Sequence, residues 1–148
     1  MPDDEAAELP LAALLRAARS TMRRAIRSAL EDAGYDDIPA NGPYVMSATT
    51  EAGVPLAVII ERLGLSKQAA GHLVDLLVLR GYLDREVDPE DRRRLVVSPT
   101  ERGEGAALVI RQVADRLEAG LAAKLGEADL RATRRTLAYL AMIANDDA

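Results

Sequence analysis

Three consecutive arginines, Arg92, Arg93 and Arg94, follow a short acidic turn that begins at Asp88. Guanidinium groups stay charged and donate hydrogen bonds to phosphate oxygens. A flexible tip with consecutive arginines therefore has the chemistry to follow a phosphate backbone or to enter a narrow minor groove of DNA. The competing interpretation is a solvated turn in which Asp91 pairs with Arg93. The two are compatible, because one arginine can brace the turn while another reaches outward.

A second group of polar residues opens a helical stretch upstream, at Ser66, Lys67 and Gln68. Serine is a preferred helix N-cap, and the partial positive charge of a helix N-terminus favours phosphate. A helix start rich in hydrogen-bond donors is also suited to reading base edges in a major groove. The face expected to be exposed carries Lys67, Gln68, Gly71, His72 and Asp75. The alternative is that these residues form an ordinary solvated helix face.

Gly71 is the unusual member of this face, because a glycine inside a helix costs about 1 kcal/mol relative to alanine. We therefore expect another group to approach its backbone closely. Two candidates remain open, a DNA backbone and the preceding helix of the same chain. Packing against the preceding helix is the favoured interpretation.

Apolar spacing predicts the helices that position these two groups. Residues recurring every three or four positions indicate a first helix from Leu9 to Ala33, ended by Gly34. Further helices are expected from near Pro43 to Gly53, from Pro55 to Leu63, and from Lys67 to Arg80. In the turn before the last of these, Gly64 relaxes the backbone and Leu65 fills the angle between helices. The predicted inner stripe of that helix is Ala69, Ala70, Leu73, Leu76 and Leu77.

The pattern changes after Gly81. Alternation from Tyr82 to Val87, a turn at 88–91 and an apolar run from Leu95 to Ser98 predict a two-stranded hairpin with a charged tip. Two helices follow, one from near Thr100, a candidate N-cap, to about Lys124, and one from near Ala128 to about Ala144. The last helix carries a seam suited to a partner helix, formed by Leu130, Thr133, Leu137, Leu140 and Ala144.

Composition excludes several classes of protein. The 148 residues suffice for one domain with a proper core. There is no cysteine and His72 is the one histidine, which excludes disulfides, iron–sulfur clusters, thiolate zinc sites and multi-histidine metal sites. We expect no cofactor. The start of the chain is acidic and no uncharged stretch is long enough to span a bilayer, so a soluble cytoplasmic protein is expected.

The net charge of -5 argues weakly against nucleic acid, but the charges are segregated. Residues 1–8, an expected acidic tail, carry -4, residues 9–30 carry +5, and residues 31–53 carry -5. Of the basic residues, 17 are arginines and 2 are lysines. The chain is therefore locally polar rather than uniformly acidic, and DNA is retained as a partner.

The order of helix, glycine turn, capped helix and hairpin is that of a winged helix-turn-helix. Residues 59–69, 79–83, 88–93 and 97–103 resemble the MarR family of bacterial transcription regulators. The most specific part is the wing motif Asp-Pro-x-Asp-Arg-Arg, followed by a strand and Thr-x-x-Gly. The resemblance runs from about Leu9 to Ala144.

The resemblance implies a mainly α fold with a small β-hairpin wing. After the tail, residues 9–148 would form a single domain, with the winged helix-turn-helix at about 38–100 and dimerisation helices at about 9–33 and 101–145. It implies a homodimer on a palindromic operator in double-stranded DNA, with recognition helices about 34 Å apart. It further implies a cytoplasmic, nucleoid-associated bacterial repressor that a small anionic or phenolic ligand releases. The missing cysteines exclude the branch that senses peroxide through a thiol.

By position, the family's reading head corresponds to Ser66, Lys67, Gln68, Ala69, Gly71 and His72. The wing arginine corresponds to Arg93, between Arg92 and Arg94, with Asp91 as its acidic companion. Gly71 and His72 stand where the family often has Ser or Thr followed by Arg, which puts the base preference in doubt. Ile60 replaces a usually small residue, and Pro99 replaces an apolar one.

A ligand pocket between the first two helices is a further expectation. It would combine an aromatic wall with a cation for a carboxylate, and its candidate residues are Met22, Arg23, Arg27, Tyr44 and Met46. The favoured alternative is core packing beside a solvated arginine stripe, made of Arg16, Arg19, Arg23 and Arg27. Two other roles remain open for that stripe: it could face DNA phosphates, or it could pair with acidic groups of a partner subunit.

Two other functions compete with a DNA-binding regulator. A winged helix that binds proteins and lacks specific DNA binding is compatible with the departures at Gly71 and His72. An enzyme is not expected, because His72 lacks an obvious nucleophile nearby. Gly103 and Gly105 are also not followed by the lysine and hydroxyl residue of a phosphate-binding loop.

Overall fold

The computed structural model describes residues 8–49 and 52–146. Within them the helices are α1 (Leu11–Asp32), α2 (Gly42–Ala48), α3 (Leu56–Leu63), α4 (Lys67–Leu79), α5 (Glu101–Leu125) and α6 (Glu127–Asp146). The strands are β1 (Val54–Pro55), β2 (Leu83–Val87) and β3 (Leu95–Pro99). The mainly α fold with a small wing is confirmed. Of the expected acidic tail, residues 1–7 lie outside the described residues.

The chain divides into two compact units. Residues 23–111 form the first, which we call the winged unit. The second, the terminal unit, combines described residues from 1–22 and from 112–148. Helices α1 and α5 therefore each contribute residues to both units.

The sheet of the winged unit has three antiparallel strands in the order β1-β3-β2. Val54 of β1 lies opposite Val97, and Val97 on its other side lies opposite Arg85 of β2. The predicted two-stranded hairpin is therefore confirmed as β2 and β3, and β1 adds a third strand that was not predicted. A strand of two residues is too short to leave an alternating pattern in the sequence.

Helix α2 is shorter than predicted. It ends at Ala48 rather than at Gly53, and Thr49 follows in an extended conformation. The Thr49 hydroxyl donates a hydrogen bond of 2.8 Å to the Met46 carbonyl at the end of the helix. Val54 precedes a proline, which disfavours helical backbone, so this part of the chain is available for β1.

The core of the winged unit lies between α2, α3, α4 and the sheet. Its largest fully buried side chains are Tyr82, Ile59, Leu77, Leu83, Val45, Val74 and Val97. Helix α4 contributes Ala70, Leu73, Val74 and Leu77, at the three- and four-residue spacing of a single helix face. The predicted inner stripe was wrong at Ala69, which is exposed, and it omitted Val74. Leu76 is half-buried at the edge of that stripe.

The terminal unit presents many apolar side chains to its surroundings. Val113 is buried, and Arg134 of α6 hydrogen-bonds to Glu118 of α5. Large apolar residues of this unit are nevertheless exposed, among them Leu121, Leu125, Leu137, Tyr139, Leu140, Met142 and Ile143. Among the described helices, no segment combines the length and the apolar character needed to cross a membrane.

Candidate nucleic-acid interface

The turn between α3 and α4 sets the direction in which α4 begins. Gly64 ends α3 with a φ of 60°, in the left-handed region where glycine has no side-chain penalty. Ser66 then caps α4, because its hydroxyl oxygen accepts a hydrogen bond of 3.2 Å from the Ala69 amide. Leu65 between them is half-buried against the core. The predicted turn and cap are both confirmed.

The residues predicted to read DNA share the outer face of α4. Ser66, Lys67, Gln68, Ala69 and His72 are exposed, and Gly71 is half-buried. The opposite face is fixed in the core, so these residues project away from the winged unit. The structure therefore brings this part of the predicted site onto one accessible surface.

Gly71 corrects one sequence-based interpretation. A Cβ atom built at this position finds no atom of the described residues within 4 Å, apart from its own helical backbone. The favoured prediction, that the preceding helix packs against Gly71, was therefore wrong. The glycine leaves an open, half-buried position at the edge of the exposed face.

An ion pair ties this face to the wing. The Asp75 carboxylate accepts a hydrogen bond from the guanidinium of Arg85 on β2. Both side chains are partly exposed, so the energetic contribution of the pair is small. Its geometric effect is to connect the outer face of α4 to the strand that leads into the wing tip.

Backbone and carboxylate hydrogen bonds close the wing tip. The Asp88 amide donates to the Arg94 carbonyl at 2.9 Å, and the Arg94 amide donates to the Asp91 carbonyl at 2.8 Å. The Asp91 carboxylate accepts a hydrogen bond of 3.0 Å from the Arg93 backbone amide. An acidic residue that binds the backbone of an arginine shapes the turn and leaves the guanidinium available.

The three wing arginines are all exposed, but they differ in their partners. The Nε atom of Arg94 lies 3.8 Å from the Asp88 carboxylate, so Arg94 braces the base of the tip. Among the described residues, the side chains of Arg92 and Arg93 have no hydrogen-bond or ion-pair partner. The arrangement places two unpaired cations at the end of a closed turn.

A polar cluster that the sequence analysis did not predict links several elements of the winged unit. The Tyr82 hydroxyl donates to the Asp37 carboxylate, and Arg80 donates to the Asp37 carbonyl. Arg102 reaches the same carboxylate at 3.0 Å, donates to the Arg80 carbonyl at 2.8 Å, and stacks 4.3 Å from the centre of the Tyr82 ring. The cluster joins the α1–α2 connection, the end of α4 and the start of α5.

Electrostatics in this cluster favour one protonation state for each group. The hydrogen bond from Tyr82 lowers the pKa of Asp37 below its ordinary 3.8, an effect that burial opposes and Arg102 assists. Burial, together with the bond to Asp37, raises the pKa of Tyr82 to about 12. The stable pair is therefore a neutral phenol beside a carboxylate.

The pair predicts a loss of stability in alkali. Because the folded-state pKa of Tyr82 is raised, its contribution is complete below pH 10, the ordinary value, and is lost as the pH rises towards about 12. We expect Tyr82→Phe to have a smaller loss of unfolding free energy over this interval than the parent protein. Urea unfolding followed by circular dichroism at several pH values measures the difference.

Tyr139→Phe is the matched control for this experiment, because Tyr139 is 67% exposed in the terminal unit. It should retain the alkaline loss of the parent protein. If Tyr82→Phe shows the same alkaline loss as this control, the Tyr82–Asp37 pair does not contribute to stability.

A cavity of about 440 Å³ lies within the winged unit, between the end of α2 and the start of α5. Its walls include Met46, Ser47, Glu104, Leu108 and Arg111. Met46 is thus the one predicted ligand residue among those that line it. Tyr44 is 36% exposed on α2, and Arg23 and Arg27 are exposed on α1. Met22 belongs to the terminal unit.

The described residues contain no group of three or more histidine or acidic side chains placed to hold a metal ion. The exposed faces of the winged unit carry hydrogen-bond donors on α4 and arginines at the wing tip. A capped helix with a polar outer face, followed by an arginine-tipped hairpin, defines a winged helix-turn-helix.

Comparison with known proteins agrees with this class. Residues 43–94 match the model of the MarR family, which confirms the resemblance found in the sequence. The matched segment contains both α4 and the wing tip. No curated protein sequence matches the chain.

Solved structures share the fold over almost the whole chain. FabT of Streptococcus pneumoniae, solved in complex with DNA, has a TM-score of 0.77 at 14% identity and covers 93% of this chain and 97% of its own. The S. aureus MepR–DNA complex has a TM-score of 0.74 at 20% identity, with coverages of 91% and 98%. The regulator PcaV from Streptomyces coelicolor, in complex with its natural ligand, has a TM-score of 0.72 at 23% identity, with coverages of 93% and 95%.

Proposed function

We propose that this protein is a sequence-specific DNA-binding transcriptional regulator, a ligand-responsive repressor that acts as a homodimer on a palindromic operator. The observation that carries the proposal is the pairing of two donor-rich surfaces on one unit. The start of α4 is capped and its outer face is exposed, and the wing presents Arg92 and Arg93 without a side-chain partner among the described residues. Both MepR and FabT, which share the fold, are solved with DNA.

In this proposal the two surfaces have different tasks. The start of α4 enters the major groove, where Gln68 and His72 contact base edges and Lys67 contacts phosphate. The wing arginines contact the flanking backbone or minor groove, which contributes affinity on any sequence. Ser66 and Ala69 lie at the helix start, where the backbone amides favour phosphate.

The homodimer is supported by the exposed apolar residues of the terminal unit. The predicted seam on α6 includes Leu137 and Leu140, which are 39% and 40% exposed. Exposed apolar patches of this kind mark surfaces that another chain covers. Two-fold pairing then places two reading heads on the two halves of a palindrome.

Ligand control is supported by the cavity in the winged unit. Part of its wall is α5, the helix that continues into the terminal unit. A small anionic or phenolic molecule that enters this space would contact Met46, with Arg111 as the cation of a wall that also holds Glu101 and Glu104. The proposed place of action is the bacterial cytoplasm, on the nucleoid. The proposed domain division has the winged helix-turn-helix at about 38–100 and dimerisation helices on both sides, and it is part of the same proposal.

Binding to duplexes from the gene's own upstream region tests the proposal. We expect one palindromic duplex to bind with a Kd of about 10 nM or tighter at physiological salt, at least about 1,000-fold tighter than a scrambled duplex. The logarithm of affinity should fall steeply with the logarithm of salt concentration, because phosphate contacts release counterions. Equal binding to every duplex would reject specific regulation, and no binding even at low salt would favour a protein-interaction module.

A further inference from the structure

At Gly71, no contact with another described residue requires a glycine. Glycine weakens a helix interior relative to alanine. Elsewhere in the chain a helical glycine can have a visible cause: a Cβ at Gly103 would collide with the Tyr82 carbonyl, and one at Gly105 would collide with the Tyr35 hydroxyl. At Gly71 a Cβ would meet open space, and the backbone does not have a positive φ.

The surroundings of Gly71, which is half-buried, place this open position at the edge of the reading head. Gln68 lies one turn earlier on the same face and His72 is adjacent, and both are exposed. Asp75, one turn later, is held by Arg85 and so marks a fixed edge. The open position therefore lies near an exposed amide side chain and a carboxylate that is paired with Arg85.

From this geometry we infer that Gly71 is a specificity-determining residue whose missing side chain allows α4 to approach the base edges of the operator closely. The inference rests on the proposed DNA-binding function and identifies the part of α4 that is in closest contact. Gly120 is equally open, so openness alone does not mark a functional position. Gly71 differs because it lies beside the exposed Gln68 and His72, where a departure from helix preference is expected to serve function. Because shape at the groove floor depends on sequence, a close backbone approach contributes to the choice of operator and little to binding on unrelated DNA.

Gly71→Ala separates stability from recognition, and Gly120→Ala supplies the matched control. Gly120 is also helical and open, on α5 in the terminal unit. We expect each variant to raise Tm by about 3 °C, since each removes a helical glycine without a collision. Gly71→Ala should lower affinity for the operator at least tenfold and leave affinity for a scrambled duplex, and its salt slope, unchanged. Gly120→Ala should leave both affinities unchanged.

The outcomes are distinct. Gly71→Ala with parental operator affinity would overturn the inference while the proposed function stood. A lowered Tm would show that the glycine serves the fold, and equal weakening on operator and scrambled duplex would show that it has no part in specificity; each result would overturn the inference. If the parent protein itself shows no preference for any operator, the proposed function fails, independently of Gly71.

Discussion

Alanine at both Arg92 and Arg93 is expected to weaken DNA binding by a similar factor on every sequence. These two guanidinium groups are exposed at a tip whose shape depends on Asp88 and Asp91, and neither has a partner among the described residues. A charge-assisted contact contributes about 1.5 kcal/mol, so we expect a loss of roughly tenfold for each arginine. The salt slope should fall by about 1 for each lost phosphate contact, or about 2 per chain.

Fluorescence anisotropy with an operator duplex and a scrambled duplex, at a series of salt concentrations, measures both quantities. Arg131→Ala combined with Arg135→Ala is the matched control, because it removes the same charge from exposed positions on α6. It should leave the salt slope unchanged. The mass of each variant in solution, measured by sedimentation, separates a loss of DNA contacts from a loss of the dimer.

Two results would contradict the role given to the wing. Unchanged affinity and salt slope in the double variant would show that the arginines do not contact DNA. A loss confined to the operator, with the salt slope retained, would show that they read bases rather than phosphates. Asp91→Ala should lower DNA affinity less than the double variant does. Asp91 orients the backbone of the tip, and its substitution keeps both guanidinium groups.

Local signals predicted the turn before α4, its cap and most of its buried face. Ser66 is a helix cap by residue type, Gly64 a helix terminator, and the three- and four-residue spacing of Ala70, Leu73 and Leu77 defines the buried face. Each of these depends on neighbours along the chain, so a single sequence contains the whole cause. The exception was Ala69, a small residue that is compatible with either face and that the structure places on the outer one.

Features that depend on distant parts of the chain were not predicted. Strand β1 exists because Val54 and Pro55 lie beside Val97 and Val96, over forty positions away. The bonds of Asp37 to Tyr82 and Arg102 span separations of 45 and 65 residues. The interpretation of Gly71 was wrong for a related reason, since only the fold shows that the space beside it is empty.

The Thr-x-x-Gly sequence at the start of α5 now has a physical cause. The Thr100 hydroxyl accepts a hydrogen bond of 3.0 Å from the Gly103 amide, which caps the helix, and donates one of 2.6 Å to the Gly81 carbonyl. The Thr100 amide donates to the Tyr82 carbonyl at 3.1 Å. That carbonyl fills the space where a side chain at residue 103 would begin, and its carbon lies 3.0 Å from the ideal Cβ position. The start of α5 and the α4–β2 connection therefore fit together only with glycine at residue 103.

Gly103→Ala is accordingly expected to destabilise the protein by about 3 kcal/mol or more. A backbone carbonyl cannot rotate away as a side chain can, so α5 must shift and weaken the Thr100–Tyr82 bond. Urea unfolding followed by circular dichroism measures the change. Because α5 continues from the winged unit into the terminal unit, operator binding should decline together with stability.

Two other glycines of α5 give a graded control. Gly105→Ala meets the Tyr35 hydroxyl, the mobile end of a side chain that can move aside, so its cost should be smaller than that of Gly103→Ala. Gly120→Ala meets open space and should stabilise the protein by up to about 1 kcal/mol. The expected order of stability is therefore Gly120→Ala above the parent, then Gly105→Ala, then Gly103→Ala. If Gly103→Ala is as stable as Gly120→Ala, the contact with Tyr82 does not hold α5 in place, and the glycine requires another explanation.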